Sequence, residues 1–241
     1  MRLPPFRGGV APVGAWRINA DSPLAHGLVA LHPLSAFVAA SMTGASVVAG
    51  DPLVAQCVYA GASQYAEIAH GLGQTNIAAA SMAMWFRRAT TGTNAKLVLY
   101  DPSANFKRTG IQVENDGKVY TCADTAAAVN YANVTTAPTA GVWHRAVLVF
   151  DGSKSGFSQV ALYLDGVARS LTTGGTAPDG TVKLSASHVL RVNVDHNGAS
   201  STPRYGAADY AHVCIWNRAL SAVEVAYDFA PETRWDLYAP A

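Results

Sequence analysis

Four Asp-Gly dipeptides punctuate this chain, at 116–117, 151–152, 165–166 and 179–180, among short runs of apolar and β-branched residues. Asp-Gly tolerates the positive φ that a tight hairpin demands, so it is the strongest local mark of a strand that turns back on itself. The clearest case joins Ile111-Gln112-Val113-Glu114 to Val119-Tyr120-Thr121-Cys122 through Asn115-Asp116-Gly117-Lys118. Turn signals recur about every ten residues, and no long helical period competes with them. The segments 28–32, 53–60, 64–69, 80–88, 96–100, 111–115, 118–123, 128–134, 143–150, 157–165, 181–185, 188–194 and 209–216 read as strands. The expected fold is all-β, an antiparallel two-sheet jelly-roll sandwich. Trp85, Phe86, Trp143, Val147, Val149, Leu162, Leu164, Val213 and Ile215 are its expected core. Residues 1–15 read as an extended arm and 16–241 as one domain, long enough to bury its own core.

One short C-terminal helix interrupts this pattern. Tyr210, His212, Cys214 and Trp216 alternate with Ala211, Val213 and Ile215, which predicts a strand with the first set on one face and the second on the other. Ser221 followed by Glu224 is a capping box, so a helix starts there. Ala222, Ala226 and Phe229 are expected to form its apolar side, and Pro231 to end it.

The run Val213-Cys214-Ile215-Trp216-Asn217-Arg218-Ala219-Leu220-Ser221-Ala222-Val223-Glu224-Val225 resembles the closing strand and helix of laminin-G-like, concanavalin A-like sandwich domains. Gln64-Tyr65-Ala66-Glu67-Ile68 and Ala80-Ser81-Met82-Ala83-Met84-Trp85-Phe86 are similar to that family's early strands. Trp143 to Gly152 and Leu162 to Gly166 resemble its central strands, and the matches come in the family's order. The resemblance implies the sandwich. It does not imply one function, since this fold carries lectins, glycosidases, adhesion modules and virion proteins.

Two phrases at the ends narrow the biology by resemblance. Asn19 to Val29, with its Ser22-Pro23-Leu24-Ala25, is similar to the lead-in of sandwich proteins from tailed-phage and prophage structural regions. Pro231 to Pro240 is similar to the aromatic ending of the same group. Before them lies the arm, with Pro4, Pro5, Gly8, Gly9, Pro12 and Gly14 and no period by which to bury a face of its own. Such an arm is expected to be held by its own domain or by a neighbour, with Arg2, Phe6, Arg7 and Trp16 as the assembly contacts.

Composition closes several alternatives. Only 14% of residues are charged, against about 25% in an ordinary domain, and the net charge is +1. That surface has little to repel other copies. The basic residues form no stripe, which argues against nucleic acid. No run of about twenty apolar residues spans a membrane, and Met1 to Phe6 lacks the apolar segment of a signal peptide, so synthesis in a reducing host cytoplasm is expected. Cys57, Cys122 and Cys214 are odd in number and hold no C-x-x-C. Cys214 is expected to be a small buried hydrophobe.

Catalytic patterns are missing. Glycosidases need two carboxylates aimed into one cleft, and the four glutamates, Glu67, Glu114, Glu224 and Glu232, form no such row. Glu114 and Asp116 are the nearest pair, but Asp116 sits in the turn. The seven histidines show no ligand spacing, and His144 and His212 read as structural residues on strands. No nucleophile elbow or phosphate loop occurs. No cofactor or metal is expected: related domains hold calcium with loop carboxylates, but by that resemblance Ala211-His212 stands where the family has two acids. Asp195, Asn197 or Asp209 are the substitutes on hand. A sugar site needs exposed rings with polar neighbours, for which Tyr100, Tyr120, Tyr131, Tyr163, Tyr205 and Tyr210 are the candidates. The long polar stretches 170–180 and 195–204 read as loops. The expectation is a non-enzymatic virion structural protein, partnered by other virion proteins and by copies of itself. A carbohydrate-binding adhesion module recognising a surface glycan is the alternative.

Overall fold

The computed structural model describes residues 16–32, 42–43, 46–49, 56–60, 63–68, 70–73, 76–100, 108–116, 118–124, 129–134, 137–174, 176–178, 180–182, 188–196 and 203–240. Its first strands are β1 (Trp16–Ile18), β2 (Leu28–His32), β3 (Met42–Thr43), β4 (Ser46–Ala49), β5 (Gln56–Ala60), β6 (Tyr65–Ile68) and β7 (Ala79–Arg88). The middle of the chain adds β8 (Ala95–Tyr100), β9 (Arg108–Val113), β10 (Val119–Asp124), β11 (Val129–Val134), β12 (His144–Asp151), β13 (Val160–Leu164) and β14 (Val167–Ala168). The rest are β15 (Thr172–Gly174), β16 (Val189–Val192), β17 (Val194–His196), β18 (Pro203–Tyr205), β19 (Ala208–Trp216) and β20 (Tyr238–Pro240), with one helix, α1 (Ala222–Phe229).

All described pairs are antiparallel, and two sheets face each other. The front sheet runs β15-β11-β10-β9-β8-β16-β6-β3, and the back sheet runs β14-β13-β12-β7-β19-β5-β4, with β2 also on β19. Alternation sorts their side chains as a pleated strand must. Met82, Met84 and Phe86 of β7, Leu148 and Phe150 of β12, and Leu97, Leu99, Ile111 and Leu190 of the front sheet fill the space between the sheets. The Asp-Gly hairpin pairs as its turn predicts, Val113 opposite Val119. All nine expected core residues are buried. They divide, however, between two layers. Phe86, Leu162, Leu164, Val213 and Ile215 lie between the sheets, while Trp85, Trp143, Val147 and Val149 point out of the back sheet. There α1 and the C-terminal tail cover them.

The predicted alternation along β19 breaks at one point. Ala211 pairs with Trp85 and Cys214 with Ala83, so β19 spends three steps where β7 spends two. That is a one-residue bulge, and His212 sits in it at φ 45°. Upstream of it Tyr210 points into the inter-sheet core, and downstream Cys214 and Trp216 point outward, so Tyr210 and Cys214 lie on opposite faces. A period-two reading carries no mark of such an insertion.

Helix α1 begins with the capping box: Ser221 Oγ accepts from the Glu224 N–H while Glu224 accepts from the Ser221 N–H at 2.9 Å. Its buried side differs from the expected one. Val225 and Asp228 are buried, whereas Ala222 and Ala226 are exposed. Asp228 turns inward because Arg145 of β12 is there, only 1% exposed, with Nε and Nη2 donating to the two carboxylate oxygens at 2.7 and 3.1 Å. Arg145 Nη1 donates to the His212 carbonyl at 2.6 Å. Burial alone would lower the Arg145 pKa, but Asp228 raises it above the ordinary value.

Other differences are local. Gly156–Gln159 is a short 3-10 turn, so β13 starts later than the pattern implies. Within 181–185 the described residues hold a single bridge, Val182 to Ile77. The stretches read as loops contain β15, which pairs with β11, and the β17–β18 hairpin. Of the expected assembly contacts, Arg2, Phe6 and Arg7 lie outside the described residues. Trp16 enters through its backbone, paired with Pro240.

The two end phrases meet. β1 pairs with β20, the Asn19 N–H donates to Leu237 O at 2.8 Å, and Asn19 Nδ2 donates to Asp236 O at 2.7 Å. The closing strand holds the lead-in as well: Trp216 Nε1 donates to Leu24 O at 2.8 Å, and Arg218 donates to His26 O and Pro23 O at 2.7 and 2.9 Å.

Candidate functional site

On β6, Ala66 and Ile68 enter the core, so Tyr65 and Glu67 face out of the front sheet. On β16, Leu190 and Val192 enter the core, so Arg191 faces out beside them. Register places Arg191 directly across from Glu67. Its Nε and Nη2 both reach Glu67 Oε1, at 2.8 and 2.7 Å. Its guanidinium carbon lies 5.5 Å from the Tyr65 ring centroid. Tyr205, from β18, stands 6.3 Å from Tyr65, centroid to centroid, with the rings tilted by 38°. The Glu67 side chain is 39% exposed and both tyrosines are half-buried, so this cluster is presented to solvent.

What brings β18 to β6 is a single asparagine. Asn193 stands at the β16–β17 corner with φ 71°, a left-handed value that Asn tolerates better than most residues. Its Nδ2 donates to the carbonyl of Gln64, next to Tyr65, at 2.8 Å and to that of Gly206, next to Tyr205, at 3.3 Å. Its Oδ1 accepts from the Tyr210 hydroxyl at 2.7 Å, and that hydroxyl accepts from the Lys96 N–H at 2.9 Å. Burial pushes the Tyr210 pKa far up, which keeps the hydroxyl a donor to Asn193. Gly206 is required beside it, since a Cβ there would stand 2.3 Å from Asn193 Oδ1. The ring pair is therefore fixed from beneath.

A second polar group lies across the same face. Tyr120 of β10 donates to Asp116 Oδ2 at 3.1 Å, and Asp116 Oδ1 accepts from the Lys118 N–H at 2.9 Å. Burial acts to raise the Asp116 pKa, but the Lys118 N–H, the Tyr120 hydroxyl and the Lys118 ammonium hold it below the ordinary value. Lys96 and Glu114 form an ion pair at 3.2 Å between this group and the Tyr65 cluster. Four strand spacings separate β10 from β6 in the sheet order, which places Tyr120 about 19 Å from Tyr65.

The remaining expected candidates fall elsewhere. Tyr210 and Tyr163 are buried, and the side chains of Tyr100 and Tyr131 lie outside the described residues. His144 is a structural residue, bonded to Asp165 Oδ2 at 2.8 Å and Thr139 O at 3.0 Å. So is His212, bonded to the Tyr238 hydroxyl at 2.9 Å. Each glutamate except exposed Glu232 is engaged: Glu67 by Arg191, Glu114 by Lys96 and Glu224 by Arg218. Asp209 is taken by Arg87 at 2.7 Å. Asn197 and the Asp195 side chain lie outside the described residues. Among the described residues no three His, Cys, Asp or Glu side chains gather as metal ligands. Tyr65, Glu67 and Arg191 were not among the sequence candidates. Their one sequence signal is alternation, which marks them as outward-facing polar positions on strands whose other positions are apolar.

The family model described as the concanavalin A-like lectin/glucanases superfamily matches residues 60–226. Comparison with curated proteins gives no match. Among solved structures, the chain is similar to domain 4 of AbnA, an extracellular arabinanase from Geobacillus stearothermophilus, in complex with arabinotriose. The identity is 17%, covering 83% of this chain and 97% of that one, with a TM-score of 0.56. It is similar to Trypanosoma rangeli sialidase in complex with sialic acid at 15% identity and TM-score 0.52, over 85% of this chain and 33% of that one. The botulinum neurotoxin serotype G binding domain matches at 11% identity and TM-score 0.52, over 77% and 46%. The chain thus spans a third of the sialidase and under half of the neurotoxin domain. At these identities the likeness is one of fold.

Proposed function

The chain belongs to the concanavalin A-like lectin/glucanase superfamily, and from that membership we propose that it is a non-catalytic glycan-binding module whose ligand lies across Tyr65 and Tyr205. The observation that carries this reading is the preset ring pair with the Arg191–Glu67 couple beside it. Sugars present C–H faces that pack on aromatic rings, and hydroxyls that bond to carboxylate and guanidinium groups. A platform fixed by Asn193 loses little entropy when it binds. The arabinanase domain in complex with arabinotriose supports a sugar role for a sandwich of this kind.

Hydrolysis is not part of the proposal. The front-face acids Glu67, Glu114 and Asp116 each hold a different basic or hydroxyl partner, so none stands as one of the two carboxylates that glycoside hydrolysis aims into one cleft. Polysaccharide cleavage abolished by Glu114→Gln would overturn this. For binding, a glycan array followed by titration calorimetry tests the site. Tyr65→Ala and Tyr205→Ala should each weaken the best ligand by about five- to 150-fold, at about 1–3 kcal/mol per stacked ring, taking aromatic stacking on bases as a guide. An array without hits, or affinities that neither substitution changes, would sink the reading.

A second reading, a virion structural subunit of a tailed phage, is favoured by a different observation. The lead-in and the aromatic tail, which resemble phage structural proteins, form one joined unit through β1–β20 and Asn19. The braced edge at β1 supports a reading in which residues 1–14 anchor a copy to its neighbours. Deleting residues 1–14 should abolish incorporation into particles, and unaltered incorporation would refute the anchoring role.

A further inference from the structure

Behind the back sheet, between α1 and the tail, lies a narrow crevice of about 10 Å3, room for about one water-sized atom. Trp85, Arg145, Asp228, Arg234 and Trp235 are among the residues that line it. Arg234 is 8% exposed, and its guanidinium stands 5.3 Å from the Trp85 ring and 5.9 Å from the Phe229 ring. Trp235 is 3% exposed. Three of their donors, Arg234 Nε and Nη1 and Trp235 Nε1, are buried and meet no acceptor. Buried donors are nearly always paired, so three in one crevice mark a missing acceptor.

Charge says what kind of acceptor. The crevice wall holds two guanidiniums, those of Arg145 and Arg234, and one carboxylate, that of Asp228. Asp228 spends both oxygens on Arg145. Glu232 is exposed, and the Asp236 carboxylate, which accepts from the Tyr227 hydroxyl through Oδ2 while its buried Oδ1 meets no donor, does not line the crevice. One buried cation is thus left over, and burial lowers the Arg234 pKa, more than Asp228 and Glu232 offset. A neutral water satisfies donors but leaves that charge without a counterpart, which a low-dielectric site tolerates poorly.

We propose that this crevice is a carboxylate-binding site, in which one oxygen of a carboxylate enters to accept from Arg234 and from the Trp235 indole, with the rest of the ligand at the mouth. It lies behind the back sheet, whereas Tyr65 and Tyr205 face out of the front sheet, so it stands or falls independently of the glycan reading. Planar carboxylates suit a guanidinium held beside rings, because its fork of donors matches the two oxygens.

The test is titration of the full-length chain with acetate, followed by the Trp235 indole N–H resonance and by thermal stability. Acetamide, equal in shape but neutral, is the control. Glucuronate against acetate distinguishes a sugar-borne carboxylate from a free small acid. A saturable shift with acetate but not acetamide is expected, together with a rise in Tm. Arg234→Gln should weaken acetate by about tenfold or more. Trp235→Phe, which keeps an aromatic side chain but loses the pyrrole ring with its N–H, should weaken it less when followed by thermal stability, and guards against a misfolded Arg234 variant. No acetate response, an equal response to acetamide, or an affinity that both variants leave unchanged would assign the three donors to ordered water and overturn the site.

Discussion

The Arg145–Asp228 pair is the buried contact whose removal has the most calculable cost. Replacing Asp228 with Ala deletes two hydrogen bonds of 2.7 and 3.1 Å and leaves a guanidinium that is 1% exposed without its countercharge. Breaking one half of a buried pair costs roughly 3–5 kcal/mol. At roughly 2–4 °C per kcal/mol for a chain of this size, Tm should fall by roughly 6–20 °C. Urea unfolding followed by tryptophan fluorescence measures it directly, since Trp85 and Trp235 both line the crevice that this pair forms. The double substitution Arg145→Met with Asp228→Leu should recover much of the loss, because it removes both charges together. Recovery will be incomplete, as the His212 carbonyl then loses its 2.6 Å donor. A loss below about 1 kcal/mol for Asp228→Ala would show that water reaches Arg145, and would refute the burial from which this cost is worked.

Two further predictions follow from titration and reactivity. The Glu224 pKa is held down to about 2, chiefly by Arg218 and then by the Ser221 N–H and hydroxyl, against the opposing effect of burial. A depressed carboxylate contributes stability above its unfolded value, near 4.5, and that contribution is lost as pH falls through the folded value. Stability should therefore decline between about pH 5 and pH 2, less steeply in Glu224→Gln, and identical slopes in acid titrations of the two would contradict the assignment. Burial pushes the Cys214 thiol up to about 11, opposed only in part by Arg145. At pH 8 it should resist alkylation in the folded chain and react only after unfolding, as peptide mapping will show.

How much of this was legible depends on range. The Asp116-Gly117 hairpin and the Ser221–Glu224 cap are written within four residues of sequence, and both form as read. The helix face was misread because its decisive residue is charged. Asp228 turns inward for a partner 83 positions away, and apolar spacing along the helix cannot register that. The bulge at His212 likewise depends on how β7 and β19 match, a property of two strands and not of one. The same limit hid the ring pair. Tyr65 and Tyr205 meet because Asn193 reaches carbonyls 129 and 13 positions away. Tyrosine composition named Tyr205 as one of several candidates but had no means to select it or to find Tyr65.

The meeting of the two chain ends has a mechanical consequence. Trp16 lies opposite Pro240 and Leu28 opposite Trp216, so each ladder is entered from the end at which both of its strands are gripped. Tension applied through the two termini would open β1 from β20 one hydrogen bond at a time, as a zip opens, and would reach β2 and β19 only after the tail and α1, which lie between β20 and Trp216. Pro240 has no N–H to contribute at the first of these positions. A copy held at both ends would therefore yield by peeling its edge at low force, while the front sheet and the Tyr65–Tyr205 platform stay off the line of load.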